Sequence, residues 1–180
     1  LDTNGNMVKA YGWQPNVAWG TGVLWQAEVT ANRLSAANYY LLYSDRLGTP
    51  QIAVNHAGSV VWRGVSQSFG ATALSADNSI VMNLRFPGQY YDEELNMNYN
   101  YFRHYQPETG RYIQSDPLGI AGGVNGYEYG INNPLMMIDP LGLAASSYCT
   151  SAFQFAGSVL GGIAGAIGGF FGGAAAGAAT

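Results

Sequence analysis

Short apolar runs rich in aromatic and β-branched residues follow one another along most of the chain. Examples are Tyr39-Tyr40-Leu41-Leu42-Tyr43, Gln51-Ile52-Ala53-Val54, Ser59-Val60-Val61-Trp62, Asn98-Tyr99-Asn100-Tyr101-Phe102 and Arg111-Tyr112-Ile113. Gly, Asn, Pro and Asp separate them at close intervals, which is the punctuation of strands and turns. A four-residue pattern recurs between the runs, a polar residue or proline followed three positions later by glycine: Asp2 to Gly5, Asn55 to Gly58 and Pro107 to Gly110. Glycine supplies the positive φ of a tight hairpin turn, and a leading Asp or Asn caps it through its side chain. In Tyr91 to Asn96 an asparagine takes the glycine's place, the best non-glycine substitute there. Helix signals are confined to two short segments, Gly126 to Ile131 and Asn133 to Ile138. The pattern predicts a mainly β chain built as an antiparallel hairpin array, with short helices near residues 126–138 and its aromatics on a packed face.

Charge divides this chain into two parts. Of 180 residues only 10% are charged, against roughly a quarter in an average domain, and lysine occurs once, at Lys9. Every charged residue lies between Asp2 and Asp139, leaving none from Pro140 to Thr180. A helical bundle would need the Ala/Glu/Lys/Leu/Arg weighting that is missing here. A nucleic-acid binder would rarely carry a net charge of -4 with seven scattered basic residues. Cys149 is the single cysteine, so an internal disulfide and a cysteine-rich metal site are excluded. His56 and His104 stand apart and read as surface or turn residues. No phosphate loop, serine elbow or metal spacing is present, so no cofactor and no metal is expected. Leu1 is not an initiator methionine and nothing near it has the basic start and apolar centre of a signal peptide, so the chain reads as a piece of something longer or as numbered from a processed end.

Asp116-Pro117-Leu118-Gly119-Ile120 and Asp139-Pro140-Leu141-Gly142-Leu143 are near copies, 23 residues apart. Asp-Pro-x-Gly is by itself a turn, since proline fixes φ and glycine takes the conformation that follows. Chemistry offers a second use. Two carboxylates brought together share one proton, because like charges a few ångströms apart cannot both ionise, and such a pair can act as acid and base on an amide.

Longer segments surround these copies: Tyr43-Ser44-Asp45-Arg46-Leu47-Gly48-Thr49-Pro50, Leu84-Arg85-Phe86-Pro87-Gly88-Gln89-Tyr90-Tyr91-Asp92, Tyr101-Phe102-Arg103-His104-Tyr105, and Gly110-Arg111-Tyr112-Ile113-Gln114-Ser115-Asp116-Pro117. Asn133-Pro134, four residues and then Asp139-Pro140-Leu141-Gly142-Leu143 close the series. Together they resemble the carboxy-terminal core of the Rhs and YD-repeat proteins, well over residues 38–143 and more loosely, as repeat strands, over 1–37. The resemblance implies a hollow β-shell that encloses a variable toxin, its end plugged by a core that is an aspartic autoprotease. It places the two aspartates at Asp116 and Asp139, the arginine preceding them at Arg111, the terminal signature on Pro134, Pro140 and Gly142, and the scissile bond at Leu143-Ala144. One carboxylate would activate a water and the other protonate the leaving nitrogen, with the arginine holding one of them ionised. Asp139 lies four residues before the bond, so its turn must fold the chain back, and proximity then replaces substrate affinity.

Residues 144–180 form the third segment. Val159 to Ala179 runs without a polar side chain, and glycine recurs every fourth residue from Gly157 to Gly177. The run is long enough for a bilayer, and small residues on one stripe let helices approach closely, although so many glycines oppose a helix. A membrane-inserting or oligomerising helix, a mobile linker and the start of a toxin all remain open for it. The resemblance implies a bacterial secreted or cell-surface protein, its own carboxy-terminal segment as substrate, and a secretion apparatus and immunity protein as partners, with membrane contact through 157–179. The contrasting expectation is a non-catalytic β-repeat scaffold, binding sugar or cell envelope through its aromatics.

Overall fold

The computed structural model describes residues 1–17, 20–143 and 145–147. The apolar runs become strands of a six-stranded antiparallel sheet in simple sequence order: β1 (Lys9–Trp13), β2 (Val23–Thr30), β3 (Arg33–Ser44), β4 (Pro50–Val54), β5 (Val60–Ser66) and β6 (Thr72–Leu74). Each turn between neighbours is set by local chemistry. The Asn55 side chain accepts from the Ala57 and Ser59 amides while Gly58 N–H donates to the Asn55 carbonyl. Asp45 makes the same arrangement with Leu47, Thr49 and Gly48, and Asp2 with Asn4, Asn6 and Gly5. An acceptor at the first position and a left-handed glycine at the fourth thus fix the hairpins.

Strand alternation then builds the core. On β3, Tyr40 and Leu42 turn inward while Leu41 and Tyr43 face out. The inward residues meet Val23, Ala53 and Trp62 and are covered by Ile80, Met82 and Leu84 from the segment that crosses the sheet. Trp62, 1% exposed, is the largest buried side chain of the molecule as described, worth about 2–3 kcal/mol of apolar burial.

A second sheet, four-stranded, follows as an antiparallel meander: β7 (Tyr90–Asp92), β8 (Met97–Asn100), β9 (Arg103–Gln106) and β10 (Arg111–Tyr112). Asn96 takes the left-handed conformation at φ 52° in the β7–β8 turn, as the sequence predicts. Phe86, Tyr105, Tyr112 and Tyr129 form an aromatic core beneath this sheet, with Phe86 and Tyr129 stacked at 5.5 Å. A short ladder of β11 (Met137–Ile138) and β12 (Ser146–Ser147) closes the described chain.

The two predicted helices are not formed. The first region contains only a 3₁₀ turn at Gly130–Asn132, where Ile131 and Asn132 have positive φ and cannot continue a helix. In the second, the Asn133 carbonyl accepts from the Met136 and Met137 amides for a single turn, and the chain then extends into β11. Another 3₁₀ turn, Gly119–Ala121, follows the first Asp-Pro-Leu-Gly copy. Among the described residues no helix is long and apolar enough to cross a membrane. The expectations for the apolar segment 157–179 lie outside the described residues.

Candidate functional site

The inward positions of β8 and β9 depart from the apolar pattern of the rest of the core. Asn98 and Asn100 of β8 and Arg103 of β9 are all buried, with Asn100 directly opposite Arg103. A charge inside a protein is costly unless it is paired and hydrogen-bonded. The compensation here is a pair of carboxylates. Arg103 Nη2 lies 3.0 Å from Asp116 Oδ2 and 3.2 Å from Asp139 Oδ2, and all three side chains are almost wholly buried. The remaining guanidinium groups donate to main-chain carbonyls, Nε to Gly142 and Nη1 to Gly126, and the guanidinium carbon sits 3.6 Å over the Tyr112 ring.

The two Asp-Pro-Leu-Gly copies therefore converge on one nitrogen, but they are not equivalent. At the first, Gly119 N–H closes the turn on the Asp116 carbonyl, and Asp116 Oδ1 accepts from the Leu118 amide two residues on. At the second, Gly142 N–H closes the turn on the Asp139 carbonyl, and Asp139 Oδ1 accepts from the Leu143 amide at 2.9 Å. Asp139 also takes the Tyr112 hydroxyl on Oδ2 at 2.9 Å, and Asn100 Nδ2 donates both to the Tyr112 oxygen and to the Asp139 carbonyl. Burial, and then the Asp139 charge, push the Tyr112 phenol well above its ordinary range, so it stays a neutral donor to the carboxylate. Burial does the same to Tyr129, whose oxygen faces the Asp139 amide.

The signature residues lock this second turn. Gly142, at φ 68°, backs onto the Asn100 carbonyl so closely that a Cβ would lie 2.5 Å from it. Pro140 is pressed by Gly88 of the Phe86-Pro87-Gly88-Gln89 turn, where a Cβ would meet the Pro140 oxygen at 2.0 Å. Pro134 is buried in the preceding turn, and Arg46 reaches across to donate to the Leu135 carbonyl beside it. Leu143 is 2% exposed. Its amide nitrogen is the group that binds Asp139, and its carbonyl carbon follows two covalent bonds along the chain. Ala144 falls outside the described residues.

One expected member is displaced. Arg111, placed beside the carboxylates from the sequence, is exposed on β10 and bridged to Glu128 by main-chain pairing; Arg103 holds the position instead. The reason is strand parity. Neighbouring residues of a strand face opposite ways, and Tyr112 takes the inward side of β10. Arg103 shares its face with Tyr105, two residues on, and is turned inward with it. That shared parity was the available signal. Tyr112 and Asn100 were also missed, because neither residue type stands out in a chain so rich in both. The histidines are peripheral: His56 is exposed, and His104 packs on Tyr99 and faces Gln114. No group of metal-ligating side chains occurs among the described residues.

Known proteins share this arrangement of segments. The family model described as the teneurin YD-shell matches residues 26–134. Toxin protein Tse5 of Pseudomonas aeruginosa is 39% identical over 120 residues, covering 67% of the chain but 9% of that protein. Double-stranded DNA deaminase toxin A of Burkholderia cenocepacia is 37% identical over 142 residues, covering 74% of the chain and 10% of that protein. Among solved structures, the TcdB2-TccC3-Cdc42 crystal structure superposes with a TM-score of 0.56 at 26% identity, covering 67% of this chain and 6% of that one. The matched region thus spans about a tenth of the length of each of these two toxin relatives. With its meandering sheets, its turn motifs in order and a family match across both sheets, the chain belongs to the YD-shell family of Rhs/YD-repeat proteins.

Proposed function

We propose that this chain is the carboxy-terminal core of a secreted Rhs-type toxin-delivery protein and that it cuts its own backbone once, between Leu143 and Ala144. The observation that carries the reading is the Leu143 amide bound to Asp139 Oδ1 while Asp139 and Asp116 share Arg103. A bond that must be cut by two carboxylates has to be held against them, and attachment through a four-residue turn supplies that at high effective concentration.

In this mechanism Asp139 is the base. Donors from Leu143, Tyr112 and Arg103 all face its oxygens and favour the anion. Asp139 takes a proton from a water whose oxygen adds to the Leu143 carbonyl carbon. Asp116 delivers a proton to the Ala144 nitrogen as the carbon–nitrogen bond breaks, leaving a carboxyl group on Leu143 and an amine on Ala144. Arg103 offsets the negative charge gathered between them. Residues 144–180 are then the start of the released segment, and the glycine-spaced run at 157–179 is its membrane-contacting part. That two relatives are named as toxins supports the delivery role, with a secretion apparatus and an immunity protein as its partners.

The test is a time course of chain cleavage, read on denaturing gels, for the parent and four single variants. Asp116→Asn and Asp139→Asn abolish cleavage with the β-sheet circular dichroism retained, and Arg103→Lys slows it. Arg111→Ala cleaves like the parent. Cleavage persisting in both folded aspartate variants would remove the carboxylate mechanism.

A further inference from the structure

The molecule holds a second buried guanidinium, and no carboxylate among the described residues neutralises it. Arg85, 7% exposed, immediately precedes the turn that presses on Pro140. Its Nη1 donates to the Met82 and Leu84 carbonyls at 2.8 and 2.9 Å, and the group lies 4.6 Å from the Tyr91 ring centroid. Among the described residues no carboxylate comes within ion-pair distance, and Nε and Nη2 meet no acceptor. Burial lowers its pKa, as desolvation of an uncompensated cation must. Arg103, also buried, has two carboxylates. Beside Arg85 is Gln89, 2% exposed, whose Oε1 accepts from Asn98 at 2.8 Å while its Nε2 has no partner. Native interiors rarely leave such donors unused.

Both residues line one cavity of about 290 Å³, between the two sheets, whose other walls include the aromatic rings of Tyr11, Trp13, Tyr90 and Tyr99. That volume is at the small end for ligand sites and suits one or two fused rings. We propose that this cavity binds a small planar molecule carrying a carboxylate, its oxygens taking the N–H groups of Arg85 that lack a protein acceptor, beside Gln89, and its flat body lying among the aromatic rings. The chemistry follows from the lining: a charge-assisted acceptor site for a guanidinium, and offset or edge contacts for an aromatic body. The proposal is independent of self-cleavage, since none of these residues touches Asp116 or Asp139.

The experiment titrates the full chain with 2-naphthoate and with its neutral isostere 2-naphthamide, following the Arg85 Nε–H and Gln89 side-chain amide signals by NMR. The carboxylate is expected to bind at least about tenfold more tightly than the amide, the ratio for replacing a charge-assisted acceptor by a neutral one, and to move both signals. Tyr99→Ala, which alters an exposed ring outside both cores, is expected to weaken naphthoate about threefold or more with the fold unchanged. Equal affinity for the two molecules, or no saturable binding of naphthoate up to about 5 mM, would overturn the proposal and leave Arg85 a structural cation held by carbonyls alone.

Discussion

Arg103 is the residue on which the buried site depends. It faces both aspartates from one nitrogen, so removing it leaves the buried carboxyl pair without its compensating cation. Arg103→Met is expected to cost about 3–5 kcal/mol in urea unfolding, the penalty for breaking a buried ion pair from one side. Arg111→Ala, on the solvent face of the neighbouring strand, should stay within about 0.5 kcal/mol of the parent. Tyr112→Phe removes a hydroxyl that donates to Asp139 and accepts from Asn100, and is expected to cost about 1–3 kcal/mol. The aspartates were legible in the sequence because proline and glycine frame both in the same way. The arginine was not, since only the face on which a strand puts each residue separates Arg103 from Arg111, and that face is fixed by packing of Tyr105 and Tyr112. Arg85 illustrates the same limit, as nothing in its sequence neighbourhood says that no acid stands opposite.

The two Asp-Pro-Leu-Gly turns show how one motif serves two environments. Gly119 and Gly142 both have positive φ, but a Cβ at Gly119 meets open space whereas one at Gly142 strikes the Asn100 carbonyl. Gly119→Ala should therefore cost only the left-handed penalty, about 1–2 kcal/mol. Gly142→Ala adds overpacking to that penalty, for about 2–5 kcal/mol in all. Urea unfolding of the two variants under one condition measures the difference, and equal losses would contradict the packing described for the second turn. Hairpins were legible from their turn residues, down to the asparagine at position 96, because an Asx side chain and a left-handed residue leave little choice of geometry. The helices predicted near residues 126–138 failed because tertiary pairing draws Met137 and Ile138 into a ladder with Ser147 and Ser146. Runs such as Tyr39 to Tyr43 also hide which side is inward, since both sides are apolar and only the covering segment at Ile80, Met82 and Leu84 decides.

At the scale of the whole molecule, two cores of different chemistry are joined by the turn at Phe86 to Gln89. One is largely aliphatic under the six-stranded sheet, and the other is aromatic with buried polar groups beside it. This gives the protein a definite alkaline weakness. Tyr11, Tyr105, Tyr112 and Tyr129 are all held above the ordinary tyrosine value of 10.0, with burial as the leading cause. Above about pH 10 the unfolded chain releases these protons while the folded chain keeps them, so the folded state binds more protons and stability falls as pH rises. Thermal unfolding between pH 8 and 11 should show the midpoint constant at first and then dropping from about pH 10 upward. A midpoint unchanged to pH 11 would mean these phenols are wetter than described. The paired aspartates, proposed above to cut the chain, stand at the junction of the two cores, where Gly88 of the connecting turn meets Pro140. Its most direct test is the intact mass of the purified, folded chain beside its Asp139→Asn variant. Two fragments meeting between Leu143 and Ala144, in the parent alone, are the predicted result; one uncut mass from both folded proteins would contradict it.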